Sequence, residues 1–313
     1  VYELIVPALI GSLPRPVGLA KKIELYSIGR LSEEKLEEAY RDYTRRAFEN
    51  LKKAGIKVVT DGLYRWDDIF NPFIRFIEGV ELNGLFKFYE NNFFYRSPVV
   101  KGELSLKENP IPEWISVAQD IKDEVYPEAT LKAVLPGPVT LAYHSINEHY
   151  KTLDELVEAY KDVIAELIKE LDVSIVELQE PALAAELSKA TREAVEHVSR
   201  DVAKSAIEEL AKIKRLWVVT YFGTPQVVPR NVILNVDLVE GRIPEGLEGE
   251  VGLGIVNARE TKMERADRLR DKLRKYVREF DVIYVTPNTL LDFLPESVAW
   301  RKLRLLGRLA GGE

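Results

Sequence analysis

The sequence predicts a single (β/α)8 barrel of the TIM type, and three observations predict it. Eight short apolar runs recur along the 313 residues, amphipathic stretches separate most of them, and polar residues suited to gripping a ligand follow the runs. Each run is β-rich and apolar on both faces, as a parallel strand covered on each side requires. Strands alternating with helices then close into a barrel of one domain spanning 1–313. The rival is an open doubly wound sheet. No G-x-G-x-x-G follows a strand, which removes that rival's usual nucleotide motif.

The runs are "LIVPALIGS" from Leu4, "IKVVTDG" from Ile56, "LKAVLPGP" from Leu131 and "VSIVELQEP" from Val173. Four more are "RLWVVTYFG" from Arg215, "NVILNVDLV" from Asn231, "GEVGLGIVN" from Gly249 and "FDVIYVTPN" from Phe280. Between them, "SEEKLEEAYRDYTRRAFENLKKAG" begins at Ser32, a good N-cap residue. Glu33 and Glu34 follow, where acids suit the positive end of the helix dipole, and Gly55 is placed to end the helix. Lys35 stands where a capping box would want Glu or Gln. Stretches from Thr152, Thr191 and Glu260 repeat the amphipathic pattern, with His197 falling in a helix body. One segment breaks the rhythm. Residues 83–103 hold six aromatic side chains and read as a β-hairpin or loop insertion.

With 46% hydrophobic and 30% charged residues, the composition is that of an ordinary globular protein. A net charge of −7 argues against a broad nucleic-acid surface, and "RLRDKLRK" alternates its charges as a solvated helix face does. Cysteine is absent, which excludes disulfides and any thiolate ligand for zinc or an iron–sulfur cluster. No apolar run approaches the roughly 20 residues needed to span a bilayer, and "VYELIVPALIGSLP" does not look like a signal peptide. A cytoplasmic location with no membrane or nucleic-acid partner is the expectation.

In such a barrel the strand C-terminal ends carry the binding groups. Those ends offer Gly11, Ser12, Arg15, Asp61, Arg65, Pro136 to Thr140, Gln179, Glu180, Tyr221, Gly223, Asp237, Asn257, Arg259, Asn288 and Thr289. Several have plain structural uses. Gly11 and Ser12 suit a turn, Asp61 and Arg65 suit each other as an ion pair, and "LPGP" suits a rigid turn. Glu180 is harder to explain as structure. A buried carboxylate costs several kcal/mol unless paired, so an Arg partner or a ligand is expected there. His144 and His149 are five residues apart and do not share a helical face. A two-histidine metal site is therefore not expected, and no Ser-His-Asp arrangement or phosphate-cradling loop is visible.

Six of these motifs, in order, resemble the cobalamin-independent methionine synthase family. "IGSLPRP" is similar to its opening strand and turn, "VTDGLYRWDDIF" to its second strand end, and "LPGPVTLAYH" to its "GPVT" segment. "VELQEPAL" resembles "QIDEPAL", "VVTYFGTP" resembles "HxCYG", and "VTPNTLLDFLP" resembles "NPDCGL". The family has two homologous barrels. The C-terminal one transfers a methyl group from a folate to homocysteine thiolate held on zinc. The departures fall on that zinc site. Its ligand positions carry Val219, Tyr221, Thr289 and Leu63, and the aspartate that grips the homocysteine ammonium is replaced by Gln179.

The family's zinc-free N-terminal barrel is the better match, through the stretch from Ile10 to Tyr43 and through "FKFYENNFFYRSPVV". The resemblance implies a zinc-free, substrate-binding subunit that works in methyl transfer to homocysteine beside a zinc-bearing homologue. The chain is not expected to turn over alone. It implies a methyl-folate or related donor as substrate, no cofactor or metal on this chain, and zinc on the partner only. Ser12, Arg15, Lys21, Asp61, Gln179 and Glu180 are the expected polar contacts, with Trp66, Tyr95 and Tyr221 stacking on a planar ligand. No residue is assigned a catalytic role. Two other readings remain open at this point: an inactive structural or regulatory barrel, and an independent metal-free enzyme using Glu180 and Asp61 for acid–base chemistry.

Overall fold

The computed structural model describes residues 4–89, 93–189 and 196–310. In chain order the elements begin with β1 (Ile5–Pro7), α1 (Val17–Ser27), α2 (Glu33–Ala54), β2 (Val58–Val59), β3 (Ile77–Lys87), β4 (Phe94–Leu106) and α3 (Ile111–Val125). Next come β5 (Thr130–Pro136), α4 (Pro138–Tyr143), β6 (Ile146–Asn147), α5 (Leu153–Glu170), β7 (Ile175–Gln179), α6 (Ala182–Ala185) and α7 (Arg200–Ala211). The chain closes with β8 (Arg215–Val219), β9 (Val232–Asp237), β10 (Glu250–Val256), α8 (Ala266–Arg274), β11 (Val282–Pro287) and α9 (Glu296–Ala310).

The eight expected runs supply eight strands of one sheet, in the order β1-β11-β10-β9-β8-β7-β5-β2. The two end strands meet, because Ala8 bridges Val58 in parallel and the Leu9 N–H donates to the Val58 carbonyl at 2.9 Å. A parallel sheet whose first and last strands join is a (β/α)8 barrel. By backbone proximity the chain resolves into two compact units. One comprises Val1–Arg65, Trp114–Lys132 and Glu248–Glu313; the other comprises Trp66–Glu113 and Ala133–Leu247.

In the first unit, β11 pairs in parallel with β1 and β10, and β2 with β5. The helix α2 forms as its sequence dictates. Ser32 Oγ accepts the Lys35 N–H, Gly55 caps the far end at φ 76°, and Leu36, Phe48 and Leu51 face inward. Burying each such side chain contributes roughly 1.5–3 kcal/mol. The second unit holds β7, β8 and β9 in continuous parallel register. There the antiparallel pair β3 and β4, joined by β6, forms a separate three-stranded sheet. This is the expected aromatic hairpin, though it begins earlier, at Ile77, and runs later, to Leu106.

Two helices are shorter than their periodicity predicts. The stretch from Thr191 becomes helical only at Arg200, where Ser199 Oγ accepts the Val202 N–H as cap; residues 191–195 lie outside the described ones. His197 consequently precedes the helix instead of lying within it. The stretch from Glu260 turns helical only at Ala266. The cause is the Lys302 ammonium, fully buried on α9. It donates to the carbonyls of Asn257 and Lys262 at 2.7 and 2.8 Å and to the Glu264 carboxylate at 3.2 Å. Backbone wrapped around a cation cannot also close helical hydrogen bonds. Among the described residues no helix is long and apolar enough to cross a membrane.

Candidate functional site

In the second unit the site is built on the end of β7. Gln179 and Glu180 are 2% and 0% exposed. Side chains alternate along the strand, so Gln179 shares a face with Glu177, and its Nε2 donates to Glu177 Oε1 at 2.6 Å. Gln179 Oε1 is buried and accepts no hydrogen bond from the described residues.

Glu180 does not meet the arginine its burial led us to expect. Its carboxylate caps α4, accepting the Thr140 N–H at 2.7 Å and the Val139 N–H at 3.2 Å. "LPGP" makes this possible. Pro136 ends β5, the Gly137 N–H donates to the Gln179 carbonyl at 2.9 Å, and Pro138 opens α4 where no N–H is needed. Gly137 leaves the carboxylate its space, since a Cβ there would overlap the Glu180 side chain and force it to shift. Two N–H groups offset only part of the cost of burial. Desolvation dominates and pushes the Glu180 carboxyl up to about 7. It thus holds or releases a proton near neutrality.

Around it stand aromatic rings. Tyr89 lies 4.9 Å from the His144 ring and 5.5 Å from the Phe222 ring, centroid to centroid, and Phe222 lies 4.8 Å from Tyr221. The Tyr89 hydroxyl is buried with no hydrogen-bond partner among the described residues. Burial first, then the charges of Glu186 and Glu180, raise its pKa well above the ordinary phenol. Tyr95 packs 5.2 Å from His144 and is pushed up to about 12, mainly by burial. Phe222 adopts a left-handed φ of 64°, and the Asp237 carboxylate clamps that turn by accepting the Phe222 N–H at 3.1 Å. Asp237 is thereby a structural residue of the β8 end. Its own carboxyl is raised, chiefly by burial.

In the first unit Ser12 donates from Oγ to the Asp292 carboxylate. Burial pushes Asp292 up to about 6 against the opposing effect of that hydrogen bond and of the Arg15 charge. Arg15 donates to the Tyr64 carbonyl at 2.9 Å. The side chain of Asp61 accepts the Leu63 N–H at 3.0 Å, which holds Leu63 in a left-handed turn, and burial raises its carboxyl. Asp61 and Arg65 do not form the expected ion pair. Arg65 instead grips Glu37 with two hydrogen bonds of 2.6 Å, its guanidinium 4.3 Å from the Tyr40 ring and 5.0 Å from that of Trp114. The α2 turn carrying Glu37 and Tyr40 sits beside the β2 end, which sequence distance hid.

Of the nine expected contacts, Ser12, Arg15 and Asp61 thus gather in the first unit, and Tyr95, Gln179, Glu180 and Tyr221 in the second. Trp66 is half-buried, and Lys21 is exposed on α1. Sequence reading missed Tyr89 and Asp292. Tyr89 follows none of the eight runs, and Asp292 lies four residues beyond the run that ends at Asn288, past the strand-end positions selected there.

The positions where the resemblance sets zinc ligands hold Leu63, Val219, Tyr221 and Thr289, all buried. None offers the imidazole, thiolate or carboxylate that zinc takes. Among the described residues no group of three or more His, Cys, Asp or Glu side chains is placed to hold a metal ion. These residues do not fit the family's zinc centre.

A family model described as "Cobalamin-independent synthase, N-terminal domain" matches residues 78–242. The chain belongs to the cobalamin-independent methionine synthase family. The match is to the N-terminal domain, as the sequence resemblance led us to expect. Among curated relatives, a methionine synthase of Saccharolobus solfataricus is 28% identical over 96% of this chain and 92% of its own. One of Sulfolobus acidocaldarius is 26% identical over 94% and 88%. Among solved structures, a B12-independent methionine synthase from Shewanella in complex with selenomethionine superposes with a TM-score of 0.78 at 21% identity, covering 97% of this chain and 96% of that one. A putative vitamin-B12-independent methionine synthase from Listeria monocytogenes gives 0.67 at 17% identity, covering 98% of each. At these identities the structural likeness of family members speaks to the fold alone.

Proposed function

We propose that this family member is a zinc-free, substrate-binding barrel that works in the cytoplasm beside a zinc-bearing homologue, in methyl transfer from a folate-type donor to homocysteine. One observation carries the reading. Gln179 and Glu180 are buried and Glu180 is held by two backbone N–H groups, while the side chains at the zinc-ligand positions offer no imidazole, thiolate or carboxylate. Zinc serves such a reaction by holding the thiol as thiolate at neutral pH. Without that centre the thiol must be activated elsewhere, which makes the reaction a joint task of two chains. On this reading the chain's own contribution is binding. Gln179 Oε1 and the Tyr89 hydroxyl are buried polar atoms with no hydrogen-bond partner among the described residues, and Glu180 supplies a carboxyl that can be neutral or charged near neutrality.

The test is reconstitution. Methionine formation from homocysteine and methyltetrahydropteroylglutamate is measured with this chain alone, with a zinc-bearing homologue alone, and with both. The expected result is none from this chain alone and a rate with both at least tenfold above the homologue alone, lost when Glu180→Ala is used. Equal rates with and without this chain overturn the proposal and favour a structural subunit. Turnover by this chain alone after zinc is chelated favours the independent enzyme.

A further inference from the structure

We propose that a groove on the outer wall of the first unit, between α2 and α9, binds a phosphorylated ligand with a flat ring, of the nucleoside polyphosphate class. The groove lies beside a close contact of the two helices. Gly307 of α9 lies against the end of α2 so closely that a Cβ on it would overlap the Ala54 carbonyl oxygen. Beside that contact, with Ala54 in its wall, lies a cavity of about 380 Å3. That volume lies within the roughly 300–1,000 Å3 typical of small-molecule sites.

Its walls are Asn50, Lys53 and Ala54 from α2, and Ser297, Trp300, Arg301 and Arg304 from α9. Three cations line it and no carboxylate does. The chain as a whole carries a net charge of −7, so this concentration of positive charge runs against the protein's average. Some other surface cations are paired with acids, as Arg45 is with Glu124 and Lys101 with Glu81. The side chains of Lys53, Arg301 and Arg304 make no ion pair or hydrogen bond with the described residues, although they line the cavity. Arg301 and Arg304 are three residues apart on α9, one above the other on the same face. Two guanidinium groups from one face of α9, with an ammonium from α2, suit successive phosphate groups, which Arg binds with paired hydrogen bonds. Trp300 supplies a flat half-buried wall beside them, suited to stacking on a base. Asn50 and Ser297 add neutral hydrogen-bonding groups of the kind that recognise a sugar or base edge. This assignment is independent of the role proposed for the Glu180 seat.

Titration of the intact chain with ATP, inorganic tripolyphosphate and adenosine tests it, followed by calorimetry and by tryptophan fluorescence. The expected result is saturable one-to-one binding of ATP, at least tenfold tighter than tripolyphosphate and weakened by added salt. Arg301→Ser with Arg304→Ser is expected to weaken ATP at least tenfold while the circular dichroism spectrum is unchanged. Trp300→Phe is expected to abolish the fluorescence change while calorimetric binding is retained. Absence of saturable ATP binding, or ATP affinity unchanged in the double variant, overturns the proposal. Tripolyphosphate binding as tightly as ATP overturns the assignment of the ring to Trp300. A Lys53→Ser variant serves as the second measure should the double variant not fold, with the same weakening expected and unchanged affinity again overturning the proposal.

Discussion

The Glu180 carboxylate lies 2.7 Å from the backbone nitrogen of Thr140, so a side chain from the end of β7 caps the helix that follows β5. Two strand ends are tied together by one buried acid. The tie depends on Gly137, whose missing Cβ leaves the space the carboxylate fills.

Gly137→Ala is therefore expected to push the carboxylate off its N–H donors and to destabilise the protein by about 1–3 kcal/mol. Urea denaturation checks this. Wild-type stability in the variant would show that Glu180 does not need its seat.

The raised pKa of Glu180 has a definite sign. Its carboxyl titrates near 4.5 when exposed and near 7 in the fold. Below about pH 4.5 both states are protonated and nothing is lost. Between 4.5 and 7 the unfolded chain ionises first, so stability falls as pH rises, and above 7 the full penalty of about 3 kcal/mol is in place. Asp292, raised to about 6, adds a decline of the same sign. Denaturation midpoints from pH 4 to 8 should show the slope. Glu180→Gln should flatten it, and an identical slope in that variant would locate the proton elsewhere.

Lys302→Met should destabilise by roughly 3–5 kcal/mol, because the carbonyls of Asn257 and Lys262 and the Glu264 carboxylate all lose their common donor. Thermal unfolding measures it. A change under 1 kcal/mol would mean that the loop after β10 refolds without the cation.

Arg65→Lys keeps the charge but removes the fork on Glu37 and the face against Tyr40 and Trp114. The Glu37 side chain is 42% exposed, so solvent screens much of the pair and a loss of about 1 kcal/mol is expected. Equal stability of the two proteins would assign the contact no net value.

The sequence by itself determined the strand set, the barrel and the family. Apolar runs such as "VSIVELQEP" and caps such as Ser32 are local signals, and their physics acts over a few residues. Burial and partner choice were decided by the tertiary structure. Arg65 pairs with Glu37 rather than with its neighbour Asp61, and Glu180 is satisfied by backbone N–H groups some forty residues earlier in the chain. Residues 260–265 stay out of the helix because Lys302 needs the Lys262 carbonyl and the Glu264 carboxylate. Such choices turn on which groups meet when distant segments are brought together and stripped of water. A carboxylate's desolvation cost, and the donors that offset it, belong to the folded neighbourhood and have no trace in the spacing of residues along the chain.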